Sequence, residues 1–191
     1  MDNKITIRQI ALFGMLGALT FGLKVAMSAL PNIEPVSLLV MIYAVVFGKK
    51  CLYPIYLYVL MEVLLYGIGT WNMNYLYVWA ILAGVAWMLR DMESAWGWAL
   101  LSGVFGLSFG LFCAPVDFLL GDLGFVISKW VSGIPFDIAH CAGNFAIALL
   151  LFKPLRKLTE KLYRKIGELK TRLVINQPGN FYGITCTVPL R

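Results

Sequence analysis

Between Ile7 and Phe152 one long apolar run follows another, broken only by short clusters of proline, glycine and charge. A helix needs about 20 mostly apolar residues to cross a bilayer, and inside hydrocarbon its backbone must satisfy its own hydrogen bonds. Composition decides where such runs go. Hydrophobic residues make up 60% of the 191-residue chain and charged residues 14%, against about 45–50% and about 25% in soluble domains. Too few polar side chains remain to cover a wet surface. A cytosolic enzyme, a disordered chain, a coiled coil and a disulfide scaffold are excluded. The sequence predicts an all-α integral membrane protein.

The breaks divide the apolar block into six segments, at about 7–30, 36–47, 52–68, 75–89, 95–120 and 125–152. Pro31 and Pro35 separate the first two, because proline lacks a backbone donor and restricts the residue before it. Gly48-Lys49-Lys50 separates the next pair. Residues 69–74 read as a turn, Pro115 as a kink and Gly133-Ile134-Pro135 as a break within the last segment. Lys4, Arg8, Lys49, Lys50, Arg90, Lys153, Arg156 and Lys157 all fall in alternate connections, while 31–35, 69–74 and 121–124 contain no Lys or Arg. By the positive-inside rule this predicts six transmembrane helices with both termini cytoplasmic. The first segment is too long for a cleaved signal peptide and contains Lys24, so it reads as a spanning helix. Residues 1–152 form the membrane domain. Residues 153–191 form a cytoplasmic basic amphipathic helix and tail, with Leu155, Leu158, Leu162, Ile166 and Leu169 at helical spacing. That helix suits anionic lipid or a cytoplasmic partner. The 16 Lys+Arg against 10 Asp+Glu are explained by topology, so nucleic acid is not an expected partner.

Ionisable groups inside a membrane are costly and mark candidate sites. Here they are Lys24, Glu34, Glu62, Asp117, Lys129, Asp137 and His140. The lysines have a bland alternative in snorkelling, and a Glu–Lys pair can be purely structural. Lys129, Gly133, Asp137, His140 and Asn144 share roughly an 80° arc of one helix, giving a polar stripe. Tyr58, Glu62 and Tyr66 lie one turn apart, and Trp71, Tyr75, Tyr77 and Trp79 gather towards the outer side. An interfacial belt explains many such aromatics, yet flat rings around a carboxylate suit a planar or cationic small molecule. In the first segment Gly14, Ala18, Gly22 and Ala26 repeat every four residues. Such a ladder serves close helix approach, within the chain or with another subunit. The polar stripe Thr20, Lys24 and Ser28 lies on a different face.

A single His excludes multi-histidine metal sites, and there is no HExxH or serine–histidine–aspartate arrangement. No metal, no cofactor and no catalytic residue is expected, and the chain does not read as an enzyme. The cysteines form no CxxC and read as small hydrophobes.

Pro-Asn-Ile-Glu-Pro-Val at 31–36, the small-residue ladder of the first helix and Gly-Ile-Pro-Phe-Asp-Ile-Ala-His-Cys-Ala-Gly-Asn at 133–144 resemble the substrate-binding S components of energy-coupling factor (ECF) vitamin transporters. The resemblance covers about residues 7–155. It implies a multi-pass protein of a prokaryotic plasma membrane that captures a vitamin or related micronutrient outside and delivers it inward. It implies partners: a transmembrane coupling subunit and two cytoplasmic ATPase subunits. This chain lacks GxxxxGK[ST] and is not itself the ATPase. The expected substrate-binding residues are Glu34, Glu62, Trp71, Tyr75, Trp79, Asp117, Lys129 and Asp137, under the 31–35 connection. The expected docking positions are Gly14, Ala18 and Gly22. The carboxylates favour a cationic or amine-bearing ligand and the lysines a carboxylate or phosphate. A stand-alone transporter or a structural membrane protein is the alternative.

Overall fold

A computed structural model of the protein describes residues 5–29 and 34–175, with side chains as far as Ile166. The described residues are all-helical and contain no strand. The helices are α1 (Ile7–Ala26), α2 (Val36–Phe47), α3 (Leu52–Tyr66), α4 (Thr70–Met88), α5 (Ala95–Leu107), α6 (Phe109–Asp117) and α7 (Leu123–Ile175), with a 3-10 turn at Gly48–Cys51. Four stretches are long and apolar enough to cross a membrane: Ile7–Ala26, Val36–Tyr66, Ala95–Asp117 and Leu123–Ile166.

The helix ends follow from local chemistry. Thr6 and Gln9 form a reciprocal cap at α1, each side chain meeting the other's backbone N–H. Ser94 accepts from the Gly97 N–H at the start of α5, and Asp122 accepts from the Phe125 N–H at the start of α7. Gly48 and Gly67 close α2 and α3 with φ of 55° and 78°. In this left-handed region a side chain clashes with its own backbone, so glycine is the natural stop.

Contacts fix the chain direction. Phe13 of α1 lies 5.2 Å from the Phe47 ring and 5.9 Å from the Tyr53 ring, while Phe21 reaches Tyr66 at 6.5 Å. Thr20 bonds Tyr43 at 3.0 Å. Helix α3 therefore runs parallel to α1, and α2 runs against both. The apolar stretch Val36–Tyr66 is a hairpin turned at Gly48–Cys51, not one rod. Tyr75 near Lys24 and Trp87 beside Gly48 make α4 run back down. Trp98 against Phe152, Gly106 against His140 and Asp117 against Lys129 set α7 antiparallel to α5 and α6. Helix α2 lies at the centre, with Val36–Ala44 buried throughout.

Four helix boundaries differ from the sequence expectation. Helix α4 begins at Thr70, so the expected 69–74 turn is largely helix. Here Asn72 folds back to accept the Gly69 N–H at 2.8 Å. The expected helix at 95–120 breaks at Ser108. The Gly110 N–H, in the first turn of the new helix, is taken up by both Asp137 carboxylate oxygens, at 3.2 Å each. The expected break at Gly133–Pro135 does not occur, and α7 passes through Pro135 and Pro154. Nor does that helix stop at Phe152. Leu155, Tyr163 and Ile166 pack on the core, and Tyr163 accepts from Gln9 Nε2 at 3.1 Å and meets Phe47 at 4.9 Å. The segment expected to lie free on lipid is thus anchored to the end of the bundle. Residues 176–191 lie outside the described residues, as do 30–33, which carry most of the expected 31–35 connection.

The glycines of α1 separate packing from exposure. A Cβ at Gly17 would stand 2.9 Å from the Pro54 carbonyl and 3.0 Å from Leu57, whereas Gly14 and Gly22 have nothing within 4 Å. Gly106 is as tight as Gly17, 2.9 Å from the His140 carbonyl. Gly17→Ala and Gly106→Ala should each cost about 1–3 kcal/mol, because backbone must move. Gly14→Ala and Gly22→Ala should be neutral or stabilising, by up to about 1 kcal/mol from helix propensity. Thermal unfolding in detergent of the four variants checks this, and equal losses at all four would refute the division.

Candidate functional site

The expected binding residues fall into two groups. The first surrounds a buried ion pair between α1, α3 and α4. Glu62 points inward from α3 and is 1% exposed. One carboxylate oxygen, Oε2, accepts from Lys24 Nζ at 2.7 Å, and the same ammonium reaches the Tyr75 hydroxyl at 3.1 Å. Lys24 lies 4.9 Å from the Tyr75 ring centre and 5.8 Å from that of Tyr58, a cation–π arrangement. Trp79 is fully buried, 5.4 Å from Tyr75, 6.2 Å from Tyr58 and about equally close to Phe105 and Phe109. Glu34 is half-buried just before α2. Burial pushes its carboxyl up, while the Lys24 ammonium pulls it down and Glu62 opposes ionisation again.

The second group lines a pocket of about 230 Å³ between α4, α6 and α7, at the end of the bundle away from Gly48. Trp71, Asn74, Gly110, Asp117, Lys129 and Trp130 are among its walls. Asp117 is ion-paired with Lys129. Asp137 stands beside this pocket, its carboxylate occupied by the Gly110 N–H. Asp137 is therefore a structural hinge for the α5–α6 break. Removing it by Asp137→Ala should strand that N–H and cost about 1–3 kcal/mol. Asp137→Asn should retain most of the stability, with thermal unfolding as the readout.

The groups differ in what they leave unsatisfied. In the pocket of the second group the cation and the anion satisfy each other. In the inner group Glu62 Oε1 and Trp79 Nε1 are buried with no hydrogen-bond partner among the described residues. A buried polar atom left unpaired costs about 1–3 kcal/mol, and such atoms persist where water, a ligand or function accounts for them. The inner group is thus the stronger candidate for binding.

Of the α7 polar stripe, Asp137, His140 and Asn144 are buried while Lys129 is exposed, and the buried members serve different neighbours. Asn144 Nδ2 donates to Ser37 Oγ at 3.0 Å and to the Ser102 carbonyl at 3.3 Å. It thereby ties α7 to α2 and α5. His140 packs 5.0 Å from Phe109, and its Nε2 is unpartnered among the described residues. No bond joins Asp137 to His140 among them. Ser37, Ser102 and Gly110 take part without having stood out in the sequence. Small polar residues in apolar helices are common, and a glycine's side-chain partner has no sequence signal.

The ladder of α1 faces away from the bundle. Ala18 and Gly22 are exposed, and Gly14 lines an apolar groove of about 320 Å³ with Ile5, Ile10, Phe13, Tyr53 and Leu57. No protein-family model matches the chain, and no curated protein or solved structure matches it either.

Proposed function

We propose that the chain is the substrate-binding S component of an ECF-type importer, with a vitamin or related micronutrient as cargo. The carrying observation is the division of labour on α1: Gly17 packs inside the chain, whereas Gly14, Ala18 and Gly22 present a smooth unoccupied face. Small residues let a second helix approach closely, which is what a membrane coupling subunit requires. The opposite side of the same helix supplies Lys24 to the buried polar group. One helix thereby joins a cargo-facing side to a partner-facing side. Two cytoplasmic ATPase subunits would supply the energy, since the chain has no nucleotide-binding loop.

In this reading the chain spans a prokaryotic plasma membrane six times, with both termini cytoplasmic. Support comes from the hairpin at Gly48–Cys51 and from the placement of charge. Arg8, Lys49, Lys50 and Arg90 share one end of the bundle with Tyr163, through the Gln9–Tyr163, Phe47–Tyr163 and Gly48–Trp87 contacts. Single cysteines at Thr70 and Ser94, in an otherwise cysteine-free chain, should react with a membrane-impermeant maleimide from opposite sides of the membrane. Labelling from the same side would overturn the topology and the assignment with it. Mass spectrometry of small molecules released from the purified chain tests for the cargo.

A further inference from the structure

Room for a ligand lies on the far side of α4 from the inner group. Tyr75 meets Lys24, whereas Asn74, its neighbour in sequence, lines the pocket of about 230 Å³ between α4, α6 and α7. A cavity of about 150 Å³ holds a benzene molecule, and drug-sized ligands need about 300–1,000 Å³. The pocket therefore has room for one ring with a small substituent. Two indoles wall it, Trp71 from α4 and Trp130 from α7, 45% and 41% exposed. Both are backed by glycine: a Cβ at Gly69 would stand 2.5 Å from the Trp71 ring, and one at Gly110 would stand 3.2 Å from the Trp130 ring. The two rings are thus seated against backbone.

The polar groups of the pocket leave little to answer a charge. Asp117 is 4% exposed and already ion-paired with Lys129. Asp137, beside the pocket, takes the Gly110 N–H on both carboxylate oxygens. Asn74 spends one end of its amide on the Tyr77 hydroxyl at 2.9 Å and keeps the other for a ligand. We propose that this pocket binds an uncharged single-ring aromatic molecule with a carboxamide-like edge, its ring against Trp71 and Trp130 and its edge on the free end of the Asn74 amide. A carboxamide carries both a donor and an acceptor, so it pairs with either end of that amide. A cation or an anion would have to break the Asp117–Lys129 pair or stay without a counter-charge. An aliphatic amide would leave the indole faces bare. The proposal goes beyond the importer reading, since binding here requires neither a coupling subunit nor transport.

Benzamide, benzamidine (protonated at neutral pH) and benzoate have nearly one shape and three charges. Each is titrated into the purified full chain in lipid nanodiscs, with tryptophan fluorescence and thermal stabilisation as readouts. Benzamide should saturate, and each charged probe should bind at least about tenfold more weakly. Gly133 lines the pocket, and a Cβ there has nothing within 4 Å. Gly133→Leu should therefore take up the space and weaken benzamide at least about tenfold, while the better helix former keeps thermal stability. Lys129→Met should reverse the preference from benzamide to benzamidine, because the cationic probe replaces the ammonium that Asp117 has lost. If Lys129→Met fails to fold, Gly133→Leu still decides. The proposal is overturned by a parent chain that prefers a charged probe, binds all three equally or gives no saturable response. It is equally overturned by benzamide binding that survives Gly133→Leu unchanged, or by a folded Lys129→Met chain that still prefers benzamide.

Discussion

Lys24→Met should destabilise the protein by about 3–5 kcal/mol, the largest loss expected from any single surface-sparing substitution in the bundle. The substitution keeps length and apolar volume but removes the ammonium that Glu62 faces at 2.7 Å. Glu62 then remains as a buried carboxylate without a counter-charge, and breaking a buried pair by removing one partner leaves such an uncompensated charge. Tyr75 loses its donor at the same time. The double substitution Lys24→Met with Glu62→Leu should recover most of the loss, because two well-packed apolar side chains leave no charge behind. Thermal unfolding of the single and double variants in the same detergent reads both effects. A single variant as stable as the parent would mean that water already solvates Glu62, and the account of a dry polar interior would fall.

Ala18→Trp should abolish uptake and the recovery of a coupling subunit, while leaving ligand binding by the isolated chain within about twofold. The face around Ala18 is exposed and lies between Gly14 and Gly22, neither of which has a neighbour within 4 Å of a built Cβ. Ala18 is exposed, so an indole there replaces no core contact and stability should change little. Against a helix that packs at the short separation small residues permit, it would push the two axes apart and forfeit most of the contact. Uptake in cells, co-purification and ligand binding on the same variant separate the possibilities. Lost ligand binding with the coupling subunit still attached would identify the ladder as internal packing, contrary to the geometry of α1.

Much of this arrangement is legible in the sequence, for physical reasons. Lipid demands long apolar helices, so their existence and order can be read from hydropathy alone. The ladder of α1 is legible because its period is that of a helix surface, though only packing against Pro54 and Leu57 separates Gly17 from its exposed neighbours. The Lys24–Glu62 pair was one of several possible pairings, since residues 38 positions apart carry no mark of contact. The eight expected binding residues read as one outer site. Four of them, Glu34, Glu62, Tyr75 and Trp79, belong instead with Lys24, and the other four with the pocket between α4, α6 and α7. Register along α4 decides this split: Asn74 and Tyr75 are neighbours in sequence but point to different sides of the helix. Prolines misled more than any other residue. Pro135 reads as a break, yet a membrane helix gives up one hydrogen bond there and continues when both flanks are packed.

That unbroken α7 has a mechanical consequence. At about 1.5 Å per residue, its 53 residues form a rod on the order of 80 Å long. It is bonded to its neighbours along its length, at Asp137, at Asn144 and at Tyr163. Lys129 stands about 22 Å to one side of Asn144 and Tyr163 about 28 Å to the other. Pro135 lies on the first arm and Pro154 on the second, and each removes one helical hydrogen bond, so bending concentrates at these two joints. A displacement at the Lys129 end therefore reaches the rim formed by Gln9 and Phe47 only through two proline joints and the Asn144 anchor between them.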